Sequence, residues 1–234
     1  MAGVVKKNDA TGKILEVGPG KGVLTEELMK IADDFKAVEL DQDMIDYLLD
    51  HGILEPHQLI SQDFLKLDLS EVFAGKSFTL AGNYPYNISS RIVIKMVRNH
   101  NLIPFSLGMF QYEMAKRITG QQNTKDYGSL SILTQLYYDC KIVYRVKPGD
   151  FSPPPKVQSA VVQFQRKDQF PSPDVEQLES VLRKSFSHRR KKIKNNLTSP
   201  EEQQVLRQMD LSDLRAEQIP MDVFVEMTER ILGL

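Results

Sequence analysis

The segment Gly82–Asn87, which reads Gly-Asn-Tyr-Pro-Tyr-Asn, combines groups that could hold a flat base bearing an amino group. Asn83 offers an amide oxygen as an acceptor, and Tyr86 offers an aromatic face for stacking. Pro85 fixes its own φ at about −65° and disfavours helix at Tyr84, so the Tyr84 carbonyl can point into a cleft beside the Asn83 oxygen. Two acceptors would then face one exocyclic amine. Because Asn, Pro and Gly are ordinary turn residues, a turn that closes a strand is the alternative.

A glycine-rich turn follows the first predicted strand. Lys13–Val17 is a short apolar run that leads into Gly18-Pro19-Gly20-Lys21-Gly22, after which apolar residues recur at helical spacing. The spacing differs from the G-x-G-x-x-G of dinucleotide folds, and Glu16 would repel a pyrophosphate at this turn. A carboxylate suits an ammonium group instead. S-adenosylmethionine carries an ammonium and no phosphate, so we prefer this methyl donor to a dinucleotide; a glycine turn without a ligand is the other alternative.

Two acidic residues also follow predicted strands. Glu39 lies in the apolar run Phe35–Leu40 and could accept hydrogen bonds from ribose hydroxyls. Asp63 follows a strand predicted at Gln58–Ser61 and could accept from an adenine amine, although a turn or helix-capping role is the commoner use of an Asp. In an open α/β sheet, ligands bind at the carboxyl ends of the strands. We therefore expect both acids to lie at the same edge as Asn83.

The basic residues are concentrated in one window, residues 181–200, which we call the basic segment. The chain has 234 residues with 30 Lys and Arg against 31 Asp and Glu, and its net charge of −1 argues against a general nucleic-acid binder. The basic segment contains seven cations and no acid, which leaves 23 basic and 31 acidic residues elsewhere. We expect these cations to bind phosphates; a solvated helix face is the alternative. They are Arg183, Lys184, Arg189, Arg190, Lys191, Lys192 and Lys194.

Composition narrows the classes of protein to consider. A hydrophobic content of 41% is ordinary for a globular chain, and no apolar run is long enough to span a membrane or form a signal peptide. We therefore expect a cytoplasmic protein without a membrane partner. One cysteine excludes an internal disulfide, and the four histidines lack metal-ligand spacing, so no metal is expected.

The remaining pattern alternates helices with strands and then becomes helical. Met1–Gly12 has no clear period and is interpreted as a loose leader. The triple proline at residues 153–155 predicts a rigid loop that presents Phe151 for stacking, or else buries this ring under the loop. After Pro171 and Pro173 no strand pattern remains, so we predict domains at 1–168 and 169–234. Further elements are predicted as follows: a helix from Ile88, a strand at Phe105–Phe110, a helix at Gln111–Thr119, a helical or buried segment at Leu130–Tyr138, and strands at Lys141–Val146 and Ala160–Gln165.

Several short segments occur in an order that is specific as a set. They are Glu16–Gly20, Val38–Asp41, Gln62–Asp63, Asn83–Ser89, Tyr127–Ser131, Phe151–Val157 with Ser159–Val162, and Phe186 with Arg189–Lys192 and Asn195–Leu197. Together they resemble the ribosomal RNA small-subunit adenine dimethyltransferases (the KsgA/RsmA family) over nearly all of Lys13–Leu234. The related macrolide-resistance methylases share the first segments, but the last segment resembles the ribosome-assembly branch.

The resemblance implies a Rossmann-like class I methyltransferase fold of the α/β class. Its mostly parallel seven-stranded sheet would carry helices on both faces, followed by a small C-terminal all-α domain that binds RNA. It also implies S-adenosylmethionine-dependent dimethylation of two adjacent adenosines near the 3′ end of small-subunit ribosomal RNA, in immature 30S particles, by a monomer. A non-catalytic RNA-binding assembly factor that retains the fold, or a DNA adenine methylase, is the alternative.

The family motifs assign roles to particular residues of this chain. The expected catalytic residues are Asn83, Tyr84, Pro85, Tyr86 and Phe151. The expected cofactor-binding residues are Glu16, Gly18, Gly20, Gly22, Glu39, Leu40, Asp63, Phe64 and Asn83. The cations of the basic segment are the expected RNA-binding residues.

Two departures from the family pattern stand out. Tyr84 occupies a position where that branch usually has Leu, which we expect to be tolerated because only the carbonyl is needed. The family's Gln-x-Phe-Leu segment and the helix that covers the cofactor are not recognisable in Met1–Gly12. We therefore expect a shortened N-terminus without this lid, weak cofactor binding and slow methylation.

Overall fold

The structure, a computed structural model, describes residues 1–146 and 157–234. The chain forms two compact units. The first comprises Met1–Ala115 and Asp139–Arg166, and the second comprises Lys116–Tyr138 and Lys167–Leu234. This division differs from the predicted domains, because residues 116–138 belong with the C-terminal helices.

The first unit is built on a seven-stranded sheet, in the order β3-β2-β1-β4-β5-β7-β6. The strands are β1 Lys13–Val17, β2 Asp34–Glu39, β3 Leu59–Ser61, β4 Thr79–Asn83, β5 Phe105–Gln111, β6 Tyr138–Val146 and β7 Ser159–Arg166. The pairings from β3 to β5 are parallel, and β7 runs antiparallel to β5. The predicted fold class, a mostly parallel seven-stranded sheet, is therefore confirmed.

Helices flank this sheet and form the second unit. Those of the N-terminal half are α1 Ala2–Asn8, α2 Val23–Met29, α3 Gln42–Asp50, α4 Leu69–Val72, α5 Ser89–Arg98 and α6 Tyr112–Ile118. Those that follow are α7 Ser129–Tyr137, α8 Val175–Ser185, α9 Pro200–Gln208 and α10 Met221–Leu232. In the second unit α7 packs on α8, and α10 contacts both α8 and α9.

The N-terminal residues are not a loose leader, so this prediction is wrong. They form α1, whose Val5 is fully buried in the core of the first unit. Asp9, directly after the helix, accepts hydrogen bonds from the Thr11 and Thr79 hydroxyls at 2.7 and 2.8 Å, and the second of these ties it to β4. A seven-residue helix with one fully buried position shows no period in sequence, because it makes only about two turns.

The segment 116–138 joins the second unit through contacts that are distant in sequence. The Tyr127 hydroxyl donates to the Ile219 carbonyl at 2.9 Å, and the amide of Asn123 donates to the Glu217 carbonyl at 3.0 Å. These partners lie about 90 residues away along the chain, so no local pattern indicates them.

Candidate active site

A cleft of about 480 Å³ lies at the carboxyl edge of the sheet in the first unit. It is formed where β1, β2, β3 and β4 end, as expected for a ligand site in an open α/β sheet. Six of the predicted site residues line it: Gly18, Glu39, Leu40, Asp63, Phe64 and Pro85. The topology therefore brings together side chains that are separated by up to several dozen residues in sequence.

The glycine turn approaches the cleft through Gly18. All three glycines adopt positive φ, at +69° for Gly18, +55° for Gly20 and +82° for Gly22, a conformation that other residues rarely take. At Gly22 a Cβ atom would also come within 2.7 Å of the Ile53 side chain. Gly20 and Gly22 are not among the described residues that line the cleft. They shape the turn that opens α2.

Glu16 is buried behind this turn, with 1% of its surface exposed. Its Oε2 accepts a hydrogen bond from the Thr25 hydroxyl at 2.7 Å. Burial raises the pKa of Glu16 to about 7; the Thr25 hydrogen bond opposes this rise, and the nearby Glu39 adds to it. The carboxyl is thus poised to ionise near neutral pH when a cation approaches.

The two acids of the cleft are held by backbone amides. Glu39 Oε1 accepts from the amides of Leu40 and Asp41 at 2.8 and 3.0 Å, and Asp63 Oδ1 accepts from the amide of Leu65 at 2.9 Å. Each carboxylate therefore has a set orientation and a second oxygen for a ligand. Asp63 therefore has the turn role that the sequence left open, and it also lies in the wall of the cleft.

Two predicted residues, Leu40 and Phe64, contribute apolar side chains to the lining of the cleft. Leu40 leaves 66% of its surface exposed although it is aliphatic, whereas Phe64 is buried. The Lys95 ammonium lies over the Phe64 ring at 5.4 Å from its centroid. Leu40 is thus an exposed aliphatic side chain in the lining of the cleft.

Arg91 also lines the cleft, and the sequence reading missed it. It lies in α5, a few residues after Gly82–Asn87, and its side chain is exposed. A three-residue step from Ile88, which also lines the cleft, is the signal that would have indicated it, because helix positions i and i+3 share a face.

Asn83 is the last residue of β4, and its side chain is exposed. Tyr84, in contrast, turns its ring into the core, where only 2% of its surface is exposed and its hydroxyl lies 3.3 Å from the Ser106 hydroxyl. The ring fills space left by two paired glycines, since a Cβ atom at Gly108 would meet it at 2.2 Å and one at Gly82 at 2.8 Å. Any contribution of Tyr84 to the site must come from its backbone carbonyl.

Tyr86 is half-buried, and both ends of the residue are held. Its hydroxyl lies 2.8 Å from the Ser159 hydroxyl, and its carbonyl accepts from the Ser89 hydroxyl at 3.1 Å. Pro85 is exposed and lines the cleft. Phe151, the second predicted stacking residue, lies outside the described residues.

In the second unit, four of the seven predicted RNA-binding cations have partners within the protein. Lys184 pairs with Glu202 at 2.9 Å, and Lys192 and Lys194 share Asp213 at 2.9 and 2.8 Å. The hydrogen bonds from Lys194 and Lys192 lower the pKa of Asp213 to about 2.

Arg189 is engaged differently, because its guanidinium donates to the carbonyls of Lys125 and Tyr127 at 2.7 and 2.6 Å. It thereby holds the loop that precedes α7. Arg183, Arg190 and Lys191 are exposed, and their side chains have no hydrogen-bond or ionic partner within residues 1–146 and 157–234. These three are the cations left available to an outside ligand.

A model of the family described as ribosomal RNA adenine dimethylase matches residues 2–231. The chain belongs to this family. It is 38% identical over 223 residues to ribosomal RNA small subunit methyltransferase A of Flavobacterium johnsoniae, covering 94% of this chain and 84% of that protein. It is 41% identical over 222 residues to the protein of the same name in Parabacteroides distasonis, covering 92% and 81%.

Solved structures support the fold of this dimethylase family member. A dimethyladenosine transferase from Plasmodium falciparum superposes with a TM-score of 0.80 at 22% identity, covering 97% of this chain and 92% of that chain. The 23S rRNA methyltransferase ErmE superposes with a TM-score of 0.66 at 24% identity, covering 98% and 96%.

Two kinds of feature are absent from the described residues. These residues contain no group of three or more His, Cys, Asp or Glu side chains placed to hold a metal ion. None of the helices in this part of the chain has the length and apolar character required to cross a membrane.

Proposed function

We propose that this protein transfers methyl groups from S-adenosylmethionine to the exocyclic amines of two adjacent adenosines near the 3′ end of small-subunit ribosomal RNA. The observation that carries the proposal is the exposed Asn83 amide at the end of β4, at the cleft edge of the sheet, in a chain of the ribosomal RNA adenine dimethylase family. The immature 30S particle is the proposed form of the substrate, and we propose that the enzyme acts as a monomer in the cytoplasm.

The cleft suits the proposed methyl donor in size and in chemistry. Its volume of about 480 Å³ falls within the range of small-molecule sites. Glu39 would accept from the ribose hydroxyls, Asp63 from the adenine amine, and Leu40 would cover the apolar face of the base. Glu16, next to the glycine turn, would favour the ammonium group. When bound, this cofactor supplies an electrophilic methyl group on its sulfonium sulfur.

The residues at the end of β4 act on the target adenine. The lone pair of an adenine amine is delocalised into the ring, so the nitrogen is a weak nucleophile. Acceptance of its two hydrogens by the Asn83 amide oxygen and the Tyr84 carbonyl favours a pyramidal nitrogen with a localised lone pair. Tyr86 stacks on the base and keeps it in line with the methyl group, so that positioning supplies much of the rate enhancement. The nitrogen would release one proton to water for each methyl group that it gains, and no strong general base is required.

The target base must leave its stack to reach this cleft, and the cations of the second unit stabilise the RNA while it does so. Arg183, Arg190 and Lys191 are the proposed phosphate contacts, because their side chains are exposed and unpartnered among the described residues. Lys184, Lys192 and Lys194 contribute less, since Lys184 already pairs with Glu202, and Lys192 and Lys194 share the carboxylate of Asp213.

The test is incorporation of labelled methyl groups into three substrates: immature small subunits, free small-subunit RNA and duplex DNA. We expect label in two adjacent adenosines of the small subunit, with Asn83→Ala as the inactive control. Label in duplex DNA would indicate a DNA adenine methylase. Tight binding of small subunits without any label would indicate a non-catalytic assembly factor.

A further inference from the structure

Ser159 is a fully buried hydroxyl that contacts the ring tip of Tyr86. The two side-chain oxygens lie 2.8 Å apart and join residues 73 positions apart in sequence. Ser159 opens β7, and within the described part of the chain its hydroxyl has no other hydrogen-bond partner. A buried hydroxyl with a single partner loses its only hydrogen bond when that partner moves, so the pair resists rearrangement.

The sheet holds Ser159 in a set position relative to Asn83. Asn83 of β4 is in register with Met109 of β5, and Met109 is in register with Val161 of β7. Gln111, two residues after Met109 on β5, is in register with Ser159 of β7. Three hydrogen-bonded strands thus connect the acceptor of the target amine to the hydroxyl that holds Tyr86. The sheet therefore fixes the backbone positions of Asn83 and Ser159 relative to each other.

The backbone end of Tyr86 is tied as well. Its carbonyl accepts from the hydroxyl of Ser89, the first residue of α5, at 3.1 Å. A tyrosine ring is oriented by only two side-chain torsions. With the backbone bound to α5 and the ring tip bound to β7, the first torsion and the long axis of the ring are fixed, and with them the place where the ring lies.

We propose that Ser159 is a positioning residue for methyl transfer: through its hydrogen bond it holds the Tyr86 ring in the place where it stacks on the target adenine while Asn83 accepts from the amine. The inference rests on the proposed function and deepens it. Loss of the bond allows the ring to swing about its first side-chain torsion, and the base then loses its alignment. RNA affinity, which depends mainly on phosphate contacts, changes little.

The experiment compares Ser159→Ala, Tyr86→Phe and the double variant in single-turnover methylation of small-subunit RNA. Each single substitution removes the same hydrogen bond, so we expect each to lower the rate about ten-fold, and the double variant to be no slower than either single variant. KM for RNA should stay within about two-fold. Ser159→Thr, which keeps the hydroxyl, should restore most of the rate.

Ser106→Ala is the matched control, because Ser106 is another fully buried serine whose hydroxyl meets a tyrosine hydroxyl, at 3.3 Å. Its partner is the ring of Tyr84, which lies in the core, so only stability should fall. Thermal unfolding of every variant identifies misfolded protein; if Ser159→Ala does not fold, Tyr86→Phe carries the test.

If the wild type is active and either Ser159→Ala or Tyr86→Phe methylates at the wild-type rate, this inference is overturned. The proposed function then stands. Additive losses in the double variant would overturn this inference too, since they would show two separate roles. A wild type that does not label small-subunit RNA would overturn the proposed function, and this inference with it.

Discussion

The cleft in the first unit and the basic segment in the second unit use their polar side chains differently. Glu39 and Asp63 remain in the wall of the cleft, where backbone amides orient each carboxylate and leave one oxygen for a ligand. In the basic segment, four of seven cations bind acids or carbonyls of the protein itself. The topology places the end of each parallel strand at the edge of the sheet. A run of cations has no position set by topology, so its members can either bind a ligand or stabilise the fold.

Asn83→Ala is the strongest test of the cleft. We expect methyl transfer to fall by about 100- to 1000-fold, the loss typical of removing one acceptor or donor that acts on the reacting group. The side chain is exposed at a strand end, so thermal unfolding should be unchanged. A rate within a few-fold of the wild type, in protein that is folded, would remove Asn83 from the mechanism.

Glu16 should make cofactor affinity depend on pH. Its pKa of about 7 in the protein means that acid protonates the carboxyl and removes its attraction for the ammonium group of the cofactor. Between about pH 5.5 and 7, affinity should therefore rise with pH, by up to about ten-fold per unit because one proton is released on binding. Calorimetric titration at several pH values measures this, and Glu16→Gln should abolish the slope.

The same group affects the free protein in the opposite sense. A pKa raised from 4.5 to about 7 means that the folded state binds more protons than the unfolded state in this range. The stabilising contribution is complete below the unfolded value and is lost as pH rises through the folded value. Urea titrations of the unliganded protein from about pH 5 to 8 should therefore show Glu16→Gln losing less stability than the wild type.

Arg189→Ala separates a structural cation from a ligand-binding one. Its two hydrogen bonds to the carbonyls of Lys125 and Tyr127 are charge-assisted, so we expect the free energy of unfolding to fall by about 1–2 kcal/mol. Arg190→Ala, the neighbouring substitution, should leave unfolding within about 0.5 kcal/mol of the wild type. Equal effects on urea unfolding would contradict the assigned difference between the two arginines.

The smallest expected effect distinguishes two pairs of cations by salt dependence. Replacement of Arg190 and Lys191 by alanine should flatten the slope of log K for RNA against log salt by about 1.4, on the basis of about 0.7 per phosphate contact on a single strand. Replacement of Lys192 and Lys194 removes the same charge but should flatten the slope less, because Asp213 already pairs with both. Equal slopes in a filter-binding series for the two variants would contradict the assigned difference between the two pairs.

Elements governed by short-range patterns were predictable. Lys13–Val17 is the strand that its apolar run predicts, and Ser199 with Glu202 forms the capping box that begins α9, with hydrogen bonds of 3.2 and 2.9 Å. Both signals involve residues within a few positions of one another. The placement of Glu39, Asp63 and Asn83 at one edge also follows, because parallel strands share their carboxyl ends.

The sequence alone therefore determined that polar residues end successive strands, that a capping box begins α9, and to which family the chain belongs. These features depend on local spacing and on which residue types occur. Only the tertiary structure decided that the Tyr84 ring lies in the core against Ser106, 22 residues away, and that Arg189 binds carbonyls of residues 125 and 127, more than 60 residues away. It also decided that Ser159 holds Tyr86. A hydrogen bond between distant residues depends on how the chain brings its elements together, and neither partner carries a local signal of the other.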